Sequence, residues 1–193
     1  AIALDPACAE AHEALAVVRT RVDWDWAGAE REWRRTFELN PNSSTAHAYY
    51  ANFLAITGRS DEAVPHSRRA IELDPSNALF RGLYAVVLVY GRRYDDALAE
   101  AEVALAIQGD IAPARAARRR VYGIRGMREE QLAEQREQIS YDPGRLAAFD
   151  RGLAEGGYEG AQRAIADLLT RRFEKASGEP NTGTLRVFMP CAI

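Results

Sequence analysis

The chain has 193 residues, 47% of them hydrophobic and 27% charged, and a net charge of −3. This is the balance of a folded domain, and it excludes a disordered chain and a strongly basic nucleic-acid binder. Two cysteines, Cys8 and Cys191, exclude a disulfide framework, and the longest apolar run, Leu83 to Tyr90, is too short to cross a bilayer. With no signal peptide at its start, the expected setting is reducing and cytoplasmic.

A phrase recurs along the chain. It reads Ile2-Ala3-Leu4-Asp5-Pro6, then Phe37-Glu38-Leu39-Asn40-Pro41, then Ile71-Glu72-Leu73-Asp74-Pro75. It returns in altered form as Leu105-Ala106-Ile107-Gln108-Gly109 and as Ile139-Ser140-Tyr141-Asp142-Pro143. The phrases end at 6, 41, 75, 109 and 143, so the steps are 35, 34, 34 and 34 residues. A fixed period of this length marks stacked supersecondary units in one elongated domain.

In chain order, the first full unit runs from about 9 to 43 and holds one extra residue, assigned to its turn. The second, 44–77, shows the local logic best. Ser44 to Thr57 lacks Gly and Pro and carries Ala46, Tyr50, Ala51 and Leu54 at helical spacing. Gly58 stands where a helix takes a left-handed terminal residue. Ser60 is placed to cap a second helix, with Asp61 and Glu62 suiting its positive end. Asp74-Pro75 ends that helix, because proline disfavours helix in the residue before it. Pro65, inside the second helix, predicts a local distortion. Units three, four and five are expected at about 78–111, 112–145 and 146–175, the last as two helices around Gly156-Gly157. Residues 176–193 read as a linker and the start of a further helix. The chain opens inside a phrase and without Met, so a fragment of a longer protein is expected.

Small residues recur at the points where paired helices would meet: Ala16 with Ala29, Ala51 with Ala63, Ala85 with Ala97. Ala70 and Ala104 fall between successive units. This constellation, with Pro75, resembles the tetratricopeptide repeat. The resemblance covers roughly residues 1–175 and implies an all-α fold, a right-handed α-solenoid of stacked antiparallel helix pairs, about five units. The last two are degenerate: Gly109 replaces a proline, Gln131 and Gln138 stand where Ala is expected, and Arg118 and Arg119 occupy normally buried positions. A narrower stretch, Asp23-Trp24-Asp25-Trp26-Ala27-Gly28-Ala29-Glu30-Arg31-Glu32-Trp33, resembles repeat arrays at the C-terminal end of bacterial regulators. Those regulators carry a winged-helix, nucleotide-cyclase or protein-kinase domain that this chain does not show.

No catalytic constellation emerges. Cys8 and His12 are spaced as two ligands on one helix, but no second pair completes a metal site. His12 and His47 fall at a packing position of their repeats. No H-E-x-x-H, phosphate-cradling glycine loop or nucleophile elbow is present. The expectation is no enzyme, no catalytic residue, no metal and no cofactor.

The resemblance assigns positions 2, 5, 9, 12 and 13 of each first helix to a concave wall. In the third unit these are Leu79, Gly82, Val86, Val89 and Tyr90; the second adds Asn52 and Ile56 among others, and the fourth adds Arg120 and Ile124. A helix apolar all round is expected to be covered on every side. A mostly apolar trough with one amide and one guanidinium marks a binding surface for a peptide or protein. Its alternative occupants are the chain's own C-terminal segment or a second copy, giving a homodimer or a structural module without a separate ligand. The lysines of a chaperone-type carboxylate clamp are absent. A second patch, Arg115, Arg118, Arg119, Arg120, Arg125 and Arg128, points to an acidic partner or is neutralised by Glu129, Glu130, Glu134 and Glu137. The net charge favours neutralisation, and nucleic acid and membrane are not expected partners.

Overall fold

A computed structural model describes residues 7–177. The first phrase, at 2–6, and the further helix expected near the end, with Cys191, lie outside the described residues. All regular elements among the described residues are helical: α1 (Ala9–Val18), a π turn (Arg19–Asp23), α2 (Trp26–Leu39), α3 (Ser44–Ile56), α4 (Ser60–Leu73), α5 (Ala78–Tyr90), α6 (Tyr94–Ile107), α7 (Ala112–Ile124), α8 (Arg128–Gln138) and α9 (Pro143–Ser177). The chain divides into two compact bodies between Met127 and Arg128. The fourth expected unit is thereby shared, α7 belonging to the first body and α8 to the second.

In the first body α1 packs on α2, α3 on α4 and α5 on α6, while the first helices also pack on one another, α3 on α5 and α5 on α7. The alanines make this possible. Ala16, Ala29, Ala51, Ala63, Ala85, Ala97, Ala70 and Ala104 are all fully buried. A methyl group at a crossing point keeps two helix axes near the short end of the usual 8–10 Å separation. Larger side chains fill the space around these crossings, chiefly Trp33, Tyr50, Leu54, Val87, Leu88 and Val121.

Helix ends follow local chemistry. The side chains of Asp25, Ser43 and Asn77 accept hydrogen bonds from the backbone N–H groups of Gly28, Ala46 and Leu79. Ser60 does not cap α4 as expected: it is the first helical residue, and Arg59 occupies the cap without capping through its side chain, which bonds Glu62 and Glu30 instead. Pro65 produces no break either, and α4 runs continuously through it. Proline clashes with the carbonyl four residues earlier, here Asp61. That carbonyl lies in the first turn at the exposed helix end, where a small tilt accommodates the ring.

Each first helix of this body ends on a left-handed residue at 34-residue intervals: Trp24, Gly58, Arg92 and Gly126, with φ of 56°, 84°, 57° and 70°. The extra residue of the first unit is absorbed upstream, in the π turn closed by Asp25 N–H on the Arg19 carbonyl at 3.0 Å. An insertion taken up as one wide turn leaves the rest of the repeat in register. Only two of the four left-handed positions are glycine. A non-glycine residue there costs roughly 1–2 kcal/mol, partly offset by glycine's greater freedom in the unfolded chain. Arg92→Gly is therefore expected to stabilise the protein by about 0.5–1 kcal/mol, read as a higher urea midpoint with an unchanged slope.

The second body is built differently. Gly156 (φ −145°, ψ 19°) and Gly157 (φ 60°, ψ −146°) break α9 into arms over 143–155 and 158–177, as the sequence leads one to expect. The arms touch backbone to backbone, because a side chain on Gly152 would overlap the Gly160 carbonyl and the reverse. Phe149, Ala161 and Ile139 form the core. Beside this core the Gln135 and Gln162 amides bond each other at 2.6 and 3.3 Å. Asp142 caps the first arm through the Arg145 N–H and accepts both Arg172 N–H groups, which hold its carboxyl well below the usual range.

Candidate protein-binding groove

The first helices α1, α3, α5 and α7 place equivalent residues 34 positions apart on one wall of the first body. One row holds Asn52, Val86 and Arg120, with Val17 at the equivalent place in α1, one residue out of step because of the π turn. A second row closes the helices: Val22, Ile56, Tyr90 and Ile124, exposed by 68%, 38%, 39% and 52%. Four large apolar side chains at one repeat position, all open to solvent, mark an apolar edge along these helices. Between the rows, Arg120 lies over the Tyr90 ring with its guanidinium carbon 5.0 Å from the centroid. This is cation–π geometry. Among the described residues Arg120 meets no carboxylate, and the Asn52 amide makes no hydrogen bond.

The wall expected from the sequence is narrower in the structure. Leu79 and Val86 are half-buried, but Val89 is only 5% exposed. Ala48, Ala55 and Gly82, at the equivalent positions 5 and 12, are buried too. These positions serve the packing of neighbouring first helices instead of facing the groove. Gly82 shows why: a Cβ there would stand 2.8 Å from Ile111 Cγ2 and 3.1 Å from the Ala114 nitrogen. Position 5 meets the start of the next first helix, so only Gly or Ala fits in α3 and α5.

In α1 the same position is Glu13, and it too reaches the next helix, accepting a hydrogen bond from the Ser43 hydroxyl at 3.2 Å. Glu10, Glu13, Ala14, Val17, Arg21 and Tyr49 line an open cleft of about 490 Å³. Burial pushes the Glu13 carboxyl up; the Ser43 bond opposes this, and nearby Glu10 adds to it. Among the described residues Glu13 forms no ion pair.

An aromatic cluster not expected as a site stands at the turn between the two helices of the first unit. Trp24 and Trp26 are exposed and meet edge to face at 5.7 Å, and Trp26 lies 6.3 Å from Phe53. The signal was available in Asp23-Trp24-Asp25-Trp26, where two tryptophans fall in a turn rather than on a buried helical stripe.

Several arginines of the cluster have partners close by. Buried Arg115 bonds the Asp110 carboxylate and the Gly109 carbonyl, Arg125 bonds Asp95, and Arg118 lies over Tyr122. In the second body Arg128 lies over Tyr158. Among their partners, Arg115 and Arg125 each have an acid outside 129–137, Asp110 and Asp95.

The histidines are held in packing roles. His12 Nδ1 lies 2.6 Å from Glu32, and Cys8 Sγ hydrogen-bonds Glu10 instead of joining His12. His47 and His66 share a hydrogen bond at 2.8 Å between their Nδ1 atoms, with His47 Nε2 on the Pro41 carbonyl at 3.1 Å. The Phe37 ring packs on both. Burial lowers both imidazole pKa values; Arg69 adds to the effect at His47, and at His66 His47 adds to it while Glu62 opposes. The folded state therefore favours neutral imidazoles, whereas the unfolded chain titrates near 6.5. Above that pH neither state binds a proton and the pair has no pH dependence. Below it the unfolded chain takes up protons the folded one resists, so stability falls as pH falls towards the lowered folded values. Melting temperatures at pH 7.5 and 5.5 are expected to show this loss, and a smaller loss in His66→Gln.

No protein-family model matches the chain, and no curated protein matches its sequence. Solved structures do resemble it. The crystal structure of PilW, a widely conserved type IV pilus biogenesis factor, aligns with a TM-score of 0.68 at 18% identity, covering 89% of this chain and 81% of PilW. MamA aligns with a TM-score of 0.58 at 20% identity, covering 82% of this chain and 95% of its own. The Pseudomonas aeruginosa pilF protein aligns with a TM-score of 0.63 at 18% identity, covering 91% and 86%. At these identities the likeness is one of fold. The chain has the fold of tetratricopeptide-repeat proteins, an all-α, right-handed solenoid of stacked antiparallel helix pairs.

Proposed function

We propose that this chain is a non-catalytic interaction scaffold that holds a peptide or a neighbouring domain against the wall formed by α1, α3, α5 and α7. The observation that carries this reading is the open apolar row Val22, Ile56, Tyr90 and Ile124 beside an Asn52 amide and an Arg120 guanidinium that find no polar partner among the described residues. Apolar side chains supply contact area, the amide suits an extended backbone, and the guanidinium suits a carboxylate. Leu79 and Val86 extend the same wall; Val89 supports it from behind. The resemblance of the Asp23–Trp33 stretch to regulator-linked arrays supports a place in a larger bacterial regulatory protein acting in the cytoplasm.

The test uses partners recovered with the wild-type protein. Val86→Asp places a charge on the half-buried wall and is expected to abolish their recovery, while circular dichroism still shows a folded helical protein. Recovery unchanged by Val86→Asp and by Tyr90→Ala rejects the wall as the site. A second copy of the chain is the competing occupant. Light scattering that shows a concentration-dependent dimer, broken by Val86→Asp, would establish that occupant in place of a foreign peptide.

A further inference from the structure

The two ends of the binding wall carry opposite charge. At the α1 end, the cleft of Glu10, Glu13, Ala14, Val17, Arg21 and Tyr49 is one unit net negative, and its half-buried carboxylate, Glu13, accepts from the Ser43 hydroxyl at the start of α3 with Glu10 nearby. Tyr49, Ala14 and Val17 give the cleft an apolar side suited to an alkyl stem. At the α7 end stands Arg120, its guanidinium carbon 5.0 Å from the Tyr90 ring centroid and, among the described residues, without a carboxylate. Between them the wall is Asn52, Leu79 and Val86, which carry no charge.

Resting on the reading of this wall as a protein-binding groove, we infer that its partner is an extended segment of defined polarity: a lysine or arginine seated in the Glu10–Glu13 cleft, an uncharged apolar stretch over α3 and α5, and a carboxylate on Arg120. Charge complementarity argues for this occupant. A cation in the cleft supplies the counter-charge that Glu13 lacks, and the raised carboxyl pKa of Glu13 agrees with an anion short of one. A carboxylate on Arg120 adds charge-assisted hydrogen bonds to a guanidinium that already lies over the Tyr90 ring and, among the described residues, meets no carboxylate. Three steps between neighbouring helices, at about 9 Å each, separate the two ends by roughly 27 Å. An extended chain of about eight or nine residues spans that distance.

The inference is tested with fluorescent, end-blocked peptides of about nine residues. The parent carries Lys at one end, alternating Ala and Leu between, and Asp at the other; its reversed order and versions with Lys→Gln or Asp→Asn complete the set. Anisotropy should show that one order of the parent binds at least tenfold more tightly than either neutralised version. Glu13→Gln, which keeps an acceptor for the Ser43 hydroxyl, should erase the preference for Lys and leave that for Asp. Arg120→Gln should do the opposite, and Arg120→Glu should turn the preference towards Lys at both ends. Binding that is lost in Val86→Asp but indifferent to peptide charge overturns the polarity and leaves the groove standing. Binding that survives Val86→Asp overturns both. Failure of every peptide to bind overturns the polarity, and the groove is then judged by its own recovery experiment.

Discussion

Trp33→Ala is expected to destabilise the protein by about 3–5 kcal/mol, enough to unfold a domain of ordinary stability near body temperature. Trp33 is 1% exposed and sits where α1, α2 and α3 converge, its ring 6.0 Å from Tyr50. Removing the indole leaves a cavity that helices fixed at their alanine crossings cannot close. A denaturant melt followed by circular dichroism measures the effect. The three tryptophans separate the mechanism. Trp24→Gly removes an exposed ring from a left-handed position and should hold or raise stability. Trp33→Phe should cost much less than Trp33→Ala, because the buried Trp33 indole N–H has no hydrogen-bond partner and phenylalanine removes that penalty while filling most of the space. A loss from Trp24→Gly as large as that from Trp33→Ala would show that the exposed cluster, not the α1–α2–α3 junction, secures the first unit.

Gly82→Leu is expected to cost about 2–3 kcal/mol and to act on one boundary, that between α5 and α7. The Gly82 Cα faces Ile111, Pro113 and the Ala114 backbone. Ile111 can change rotamer; a backbone nitrogen cannot withdraw without moving α7. Hydrogen exchange should therefore report loss of protection in α7 first, with α1 to α4 protected as before, since repeats exchange stability chiefly with their neighbours. Gly82→Ala is the milder control, because position 5 of α3 already holds Ala48 in a buried setting. Uniform loss of protection across α1 to α7 would show that the first body melts as one unit.

The groove was legible only in part. The residues that line it follow from a period and a family position, and Asn52, Ile56, Leu79, Val86, Tyr90 and Arg120 lie on or beside the wall in the structure. Val89 does not, because sequence position alone does not separate the face turned to solvent from the face turned to the next first helix. Both faces of α5 are apolar. The Glu13 cleft was hidden for a related reason: Glu13 takes the place that Ala48 and Gly82 take in later units, and only the approach of Ser43 shows what a carboxylate meets there.

The sequence by itself determined the class of fold and the alanine crossings that hold its helix pairs. These depend on short-range rules: helical spacing of apolar residues, glycine or proline at helix ends, and a repeat that states each rule several times. Tertiary structure alone decided where the extra residue of the first unit goes. Asp25 closes a wide turn on Arg19, and Trp24 falls into register with Gly58, Arg92 and Gly126. It also decided how the chain divides at Met127, how Gly152 and Gly160 cross, and which arginines find acids. Each of these depends on which atoms from distant parts of the chain arrive at the same place, and a local pattern of residues carries no record of that.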